Sequence, residues 1–460
     1  MGGYSFFQFF SDPILRAPTI GCMLMCLAAS LVGVIVFLRK QSLIGETLSH
    51  ASYPGVIVGV LIAGGWLVSS EDELSLACFT LGGAFITALI GLFTVHLIER
   101  NQRVPSDAAL CFVLSAFFGV GLTIASDVQF SYPSLYKQVL AYLYGQAATM
   151  TDIHIVIYGL LASLVVLLVL LCYKELQVIT LDRQYAISLG VPVNMIEIFL
   201  FILVTLAVVI GIRSVGVVLM SAMLIAPAVT ARQFTNTLSY MFVLAAFFGI
   251  LSGFFGNYLS VNLSTLLAQG YPNARIILPT GPMIVLVASA FCLLSLLCAP
   301  ERGILVRLIR VFHFRYECLC ENILKTMWRI GPTTTVSLDT IQSYQSINNL
   351  FLRFILWRII RNGWMTRQGA PQDAPQASHQ YMLTQDGLLR AARIVRLHRL
   401  WEVYLVSYLG AGAEKVHRNA EEMEHILTPE LENELTLLLN DPKQDPHHQP
   451  IPLKEDTHAI

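Results

Sequence analysis

Residues 17–38 read APTIGCMLMCLAASLVGVIVFL, without a single charge, with Arg16 before them and Arg39-Lys40 behind. A run of about 20 apolar residues crosses the hydrocarbon core of a bilayer as a helix, because there every backbone amide must be satisfied within its own segment. Eight further runs follow, at Tyr53–Val68, Leu74–Leu97, Ala109–Ala125, Ile153–Cys172, Met195–Ile212, Val215–Ala231, Tyr240–Leu259 and Pro282–Ala299. Of the 460 residues, 55% are hydrophobic and only 13% charged, with mean hydropathy +0.65, which excludes an ordinary soluble globular chain.

Charges are sparse up to Pro300 and dense from Glu301 onward, so the net charge of −1 averages two unlike parts and says little about partners. The expected fold is an N-terminal all-α polytopic membrane domain followed by a soluble C-terminal part. Nine spans are expected within a range of eight to ten, since only Arg213-Ser214 separates the sixth and seventh runs and Val139–Leu143 could add a partial helix. Broken helices at membrane depth line cavities rather than face lipid. Basic residues follow alternate runs: Arg39 and Lys40, Arg100 and Arg103, Lys174 and Arg183, Arg232, then Arg302 and Arg307. The other loops, such as residues 69–73 (SSEDE) and Ser126-Asp127, are acidic or neutral. The positive-inside rule then puts the N-terminus outside and the C-terminus in the cytoplasm. The first sixteen residues lack the basic n-region and cleavage site of a signal peptide. Seven of the nine cysteines lie in or beside apolar runs as small hydrophobes, and the C-x-C spacing of Cys318 and Cys320 carries little specificity as a metal motif.

Between the first two runs stands GETLSHASYPG, residues 45–55. Glu46 and His50 are four apart and share a helix face, with Ser49 beside them. Both can ligate a divalent ion, and both are costly in lipid unless they meet a cavity or a partner. A carboxylate–imidazole hydrogen bond at a helix end is the alternative. The stretch resembles the G-x-x-L-S-H-A-x-x-P-G signature of permeases in the zinc/manganese/iron family of ABC importers. Three more segments match that family in order: DRQYA (182–186) with LGVP (189–192), VGVVLMSAMLIAPA (215–228), and LPTGP (278–282). Together they cover nearly all of Thr19–Ala299.

The resemblance implies a permease that pairs with a second permease subunit, as a homo- or heterodimer, in a bacterial cytoplasmic (inner) membrane. A cytoplasmic ATP-binding subunit would dock on the coupling segment Asp182, Arg183, Ala186 and Gly190, and an extracytoplasmic metal-binding protein would deliver the ion. Asp182 is placed to cap the coupling helix. The chain has no G-x-x-x-x-G-K-[ST] loop and no nucleophile–base set, so it is read as a permease and not an enzyme, with ATP hydrolysed by a separate subunit. Glu46, Ser49 and His50 are the transport-path candidates; Asp127, His154 and Glu197 are read as structural or interfacial.

The C-terminal third divides into a junction at 303–316, a domain at 317–390, and a last domain with a polar tail at 391–460. Helical stretches at Asn322–Ile330, from Ser337, and at Ile347–Arg361 precede a hairpin of Trp364–Arg367 and Tyr381–Leu383, which is the pattern of a winged helix-turn-helix. Asn348, Asn349, Arg353, Arg358, Arg361 and Arg367 would meet DNA. The alternative is a helical domain with a solvated basic face.

Further on, His398 and Glu402 share one helix face, and His417, Glu421, Glu424 and His425 share another. Imidazoles and carboxylates without thiolates suit Mn²⁺ or Fe²⁺, while ion pairs along a polar face are the alternative. The order resembles the metal-binding and dimerisation domain of the iron/manganese-dependent repressors of the diphtheria-toxin-repressor type. By that resemblance Glu421, Glu424 and His425 form the regulatory site, and His398, Glu402 and His417 its neighbour. The glutamate at 421 points to the manganese-sensing branch. A further ligand from the first helix of the winged domain would fall at Asn322, a weak ligand, with Glu321 adjacent; Phe354 stands where a polar base-reader is expected. The combined reading is a metal importer permease fused to a metal-dependent repressor that dimerises on operator DNA and is released by proteolysis within Gly303–Leu338. A sensor that gates transport in place, without DNA, is the alternative.

Overall fold

The computed structural model describes residues 4–66, 73–102, 104–270, 277–331, 333–344, 348–368, 380–410, 412, 420, 421, 423, 425 and 428–453. The chain forms two compact units, Met1–Arg307 and Leu308–Ile460.

The described residues of the first unit form helices α1 (Gln8–Ser11), α2 (Pro13–Leu38), α3 (Leu43–Trp66), α4 (Glu73–Gln102), α5 (Ser106–Ser131), α6 (Pro133–Tyr144), α7 (Asp152–Leu171), α8 (Tyr173–Leu181), α9 (Arg183–Ser188), α10 (Val193–Val215), α11 (Met220–Phe234), α12 (Leu238–Gly270) and α13 (Thr280–Cys298). Eight of them are long and apolar enough to cross a membrane among the described residues. Phe93, Phe112, Leu160 and Leu170 stand exposed along these helices, as residues facing lipid do.

Two differences from the sequence expectation have physical causes. The second span starts at Leu43 rather than Tyr53, so α3 contains the whole GETLSHASYPG stretch and keeps Glu46 and His50 on one helix. The seventh apolar run is helical only over Met220–Phe234, 15 residues, because α10 ends at Gly216 with φ +99°. That φ lies in the left-handed region that glycine alone enters without strain. A second break, at Gly145 with φ +78°, meets it. Val217 N–H donates to the Tyr142 carbonyl at 3.1 Å, and Gln146 N–H to the Arg213 carbonyl at 3.0 Å. Each interruption supplies the hydrogen bonds the other has lost.

Helix α3 packs against α4 and α5, and α2 against α7, α11 and α12. The tightest approaches are at glycines. A Cβ on Gly55 would lie 2.1 Å from the Gly83 carbonyl oxygen, and one on Gly83 would lie 2.4 Å from the Gly55 oxygen. Small residues let helix backbones touch where apolar burial offers no preference for helix over lipid. Buried Asn257 adds a polar link, donating from Nδ2 to Thr19 Oγ1 at 2.8 Å.

In the second unit, α14 (Ile304–Ile330) leads to strand β1 (Val336–Ser337), α15 (Leu338–Tyr344), α16 (Asn349–Arg361), the hairpin β2 (Met365–Gln368) and β3 (Gln380–Leu383), α17 (Gln385–Leu409) and α18 (Pro429–Leu438). Residues 304–316 of the expected junction are thus helical, and the boundary between the units falls within α14. Ser337 caps α15 through Thr340 N–H, Asn348 caps α16 through Leu350 N–H, and Thr384 caps α17 through Gly387 N–H. The sheet order is β1-β3-β2, antiparallel, with Met365 opposite Leu383. Ile323, Leu324, Met327, Ile341, Leu352, Ile355, Ile359 and Leu383 share one buried core.

The reciprocal glycine contact generates a prediction. Gly55→Ala forces α3 and α4 apart and should lower stability by about 1–3 kcal/mol, whereas Gly82→Ala, with nothing within 4 Å of its Cβ, should be tolerated. Thermal unfolding of the two variants in detergent distinguishes them; equal melting temperatures would refute the contact.

Candidate functional site

Within α3, Glu46 is half-buried and His50 is buried, with its ring edge-on against Phe118 at 4.4 Å. His50 Nδ1 is buried without a hydrogen-bond partner among the described residues. Ser49 donates its hydroxyl proton to the Gly45 carbonyl at 2.7 Å, so its polarity is spent largely within its own helix. His154 completes a capping box at the start of α7 with the N-cap Thr151: its Nδ1 accepts from Thr151 N–H at 3.2 Å.

The short helix α9 starts where Asp182 accepts from Gln184 N–H at 2.8 Å and Tyr185 N–H at 3.2 Å. It ends through Gly190 at φ +78°. Ala186 is buried with Ile179 and Val193, while Tyr185, Ile187 and Leu189 are exposed. Arg183 reaches Glu197 of α10 with two nitrogens, Nε and Nη2, each at 3.2 Å, and the same carboxylate takes Arg39 Nη2 at 2.7 Å. Glu197 therefore joins α9 to the end of α2, a role that sequence reading left as merely structural.

In the second unit, Glu321 and Lys325 lie four apart on α14, and His398 and Glu402 four apart on α17. His425 Nδ1 is 2.7 Å from Glu321 Oε2, and Arg390 Nη2 is 3.4 Å from Glu321 Oε1. His398 Nε2 is 3.2 Å from Glu402 Oε1, and its Nδ1 is 3.1 Å from Lys325 Nζ, which is 4.0 Å from Glu421 Oε1. His417 and Glu424 lie outside the described residues. Among the described residues no three of His, Cys, Asp and Glu converge closely enough to hold an ion by themselves. Glu321, Glu421 and His425 have the donor chemistry for Mn²⁺ or Fe²⁺. The structure brings Glu321 to His425, beside the Asn322 position that the resemblance singled out. Burial pushes the thiol of Cys320, next to Glu321 on α14, above its ordinary range.

A cavity of about 440 Å³ opens beside this cluster, lined by His398, Arg399 and Glu402 of α17 together with Arg329, Asp445 and His447. Arg396, 1% exposed, fixes the surrounding chain: it donates to the Pro452 carbonyl at 2.7 Å, to Asp441 at 3.0 Å and to Thr436 at 3.3 Å.

Of the proposed DNA-contacting residues, Asn348, Asn349, Arg353, Arg358, Arg361 and Arg367 are all exposed. They share the surface of α16 with Leu350, Phe354 and Trp357, exposed at 78%, 49% and 51%, and the Arg361 guanidinium lies 5.4 Å over the Trp357 ring.

The Glu197 bridge predicts a measurable asymmetry. Glu197→Ala leaves Arg39, itself largely buried, without its carboxylate and should cost about 1–3 kcal/mol. Asp152→Ala breaks the exposed Arg16 pair and should cost about 0–1 kcal/mol. Urea unfolding in mild detergent reads both, and equal midpoints would contradict the assignment.

Residues 11–299 match the ABC 3 transport family, and residues 384–453 match the metal binding and dimerisation domain of the iron dependent repressor. The probable metal transport system membrane protein of Chlamydia trachomatis is 36% identical over 454 residues, 96% of this chain and 97% of that protein. The zinc transport system membrane protein TroC of Treponema pallidum is 34% identical over 67% of this chain and 96% of its own. Among solved structures, PsaBC from Streptococcus pneumoniae in complex with Fab aligns with a TM-score of 0.52 and 27% identity, over 65% of this chain and 96% of that one. The chain belongs to the ABC 3 transport family and carries, behind its permease part, a domain of the iron-dependent-repressor metal-binding type.

Proposed function

We propose that this protein is the membrane permease of an ATP-driven importer of a divalent transition metal, Mn²⁺, Fe²⁺ or Zn²⁺, and that its C-terminal third is a metal-dependent transcriptional repressor of metal uptake. The observation that carries the reading is the joint presence, on one chain, of the permease family at 11–299 and the repressor's metal-binding domain at 384–453. Import and sensing of one metal make a feedback pair. Glu46 and His50 line the ion path. The exposed Tyr185, Ile187 and Leu189 around the capped helix α9 suit docking of a separate ATP-binding subunit, an extracytoplasmic metal-binding protein supplies the ion, and a second permease subunit completes the pore.

The protein is placed in a bacterial cytoplasmic membrane with the C-terminal unit in the cytoplasm. The alternating basic loops support this orientation; with eight long apolar helices among the described residues, it requires the 15-residue α11 and the residues before it to make a ninth crossing. α14 to β3 have the element order of a winged helix-turn-helix, with α16 as the reading helix and the arginines on phosphates. The sensor ion, Mn²⁺ or Fe²⁺, is held by Glu321, Glu421 and His425, with Glu424 contributing. Proteolysis within 303–338 would free the repressor to search DNA as a dimer.

One observation favours a second reading, in which the sensor gates transport in place: the exposed apolar Leu350, Phe354 and Trp357 on α16 suit protein contact better than base edges. Footprinting with residues 308–460 on DNA upstream of the uptake genes separates the two. Protection that needs Mn²⁺ or Fe²⁺ is expected; none with either metal would leave the gating reading. Blots with a C-terminal antibody should show a soluble fragment, and only membrane-bound full-length chain would exclude release. For the permease, His50→Ala should cut cellular uptake of radioactive Mn²⁺ by about 10–100-fold at unchanged membrane abundance; undiminished uptake would remove His50 from the path.

A further inference from the structure

The candidate sensor contains a cation of its own. Lys325 is 3% exposed, and an ammonium withdrawn from water persists only where hydrogen bonds and opposite charge replace its hydration. Its Nζ lies 3.1 Å from His398 Nδ1 and 4.0 Å from Glu421 Oε1. An ammonium has donors and no acceptor, so His398 Nδ1 accepts. The imidazole proton then sits on Nε2 and is donated to Glu402 Oε1 at 3.2 Å. Both ring nitrogens of His398 are thereby engaged: one lone pair points at Lys325, and the other nitrogen carries a hydrogen toward a carboxylate. His398 and Glu402 are themselves 2% and 1% exposed. A divalent ion seated between His398 and Glu421 would stand against a fixed positive charge at close range in a poorly screened environment.

We infer that Lys325 is the resident cation of the His398–Glu402 pair, so that this half of the sensor is assembled without metal and a divalent ion loads only on the Glu321–Glu421–His425 side. The inference rests on the reading of this unit as a metal sensor and narrows it. Helix α14 serves both halves, with Glu321 offered to the ion and Lys325, one turn on, replacing one. Two consequences follow. The contact of α14 with α17 through Lys325 and His398 persists in the metal-free protein. The sensor responds to one ion per chain, with no second ion to make its loading cooperative.

The test counts ions. The full-length protein in detergent is dialysed against Mn²⁺, and bound metal per chain is measured by mass spectrometry. Glu321→Ala and His425→Ala should each lose one ion relative to the parent, while His398→Ala and Glu402→Gln should lose none. Lys325→Glu, which exchanges the ammonium for a carboxylate, should gain one. Loss of an ion from His398→Ala, or no gain from a folded Lys325→Glu, would overturn the resident-cation assignment. If neither Glu321→Ala nor His425→Ala changes the count, the metal-sensor reading itself fails, a result distinct from failure of the Lys325 assignment. The His398→Ala arm stands even if Lys325→Glu does not fold, since it needs no change at Lys325.

Discussion

A peptide group inside a bilayer has no water to fall back on, and that constraint governs the permease half of this molecule. Long helices satisfy it by repetition. Where the chain must break, at Gly145 and Gly216, each break lends the other its hydrogen bonds: Val217 to Tyr142 and Gln146 to Arg213. The breaks come as a pair because either alone would leave bare amides in hydrocarbon. Contact between whole helices obeys a related rule. Apolar side chains gain nothing by leaving lipid for one another, so the helices hold by backbone proximity at Gly55 and Gly83 and by buried polar links such as Asn257 to Thr19. That packing holds His50, buried in α3, against Phe118 of α5.

The C-terminal unit meets a different constraint, since it buries charge as well as apolar surface. Arg396, Glu402, Glu432 and Lys325 are all nearly inaccessible. Buried charges rarely strengthen a fold beyond what apolar residues of the same volume would achieve, but each requires a particular partner in a particular place. Here they select one arrangement of α14, α17, α18 and the residues that follow. These charges are largely settled within the unit itself, Glu402 by His398 on its own helix and the others by partners from other parts of the chain.

Much of the fold was legible in the sequence, for identifiable reasons. The spans announced themselves by unbroken apolar length. Asp182 and Ser337 marked helix starts because a side-chain oxygen before a helical run has little else to do, and the β2–β3 hairpin showed in its alternation around a polar loop. The start of α3 was misplaced because Glu46 and His50 interrupt hydropathy without interrupting the helix. The seventh apolar run kept the composition of a span although Gly216 turns the chain out of helical geometry. The sensor was half legible. Spacing put His398 with Glu402 and Glu421 with His425, but Glu321 and Lys325 come from a helix far back in the chain. Only the packing of α14 shows that both meet an imidazole, Glu321 that of His425 and Lys325 that of His398. The bridge from Arg39 through Glu197 to Arg183 spans 158 residues and had no local signature.

The partners of Arg396 have a bearing on how the protein is made. This guanidinium lies near the middle of α17, yet the groups that receive it are Thr436, Asp441 and the Pro452 carbonyl. Until a ribosome has delivered the chain through Thr436 and Asp441 to Pro452, a charged group intended for the interior lacks its full set of partners. The membrane spans can be handed to the bilayer one after another as they emerge, whereas the sensor must wait for its final residues. During that interval the membrane part is already in place and the C-terminal unit is not yet built.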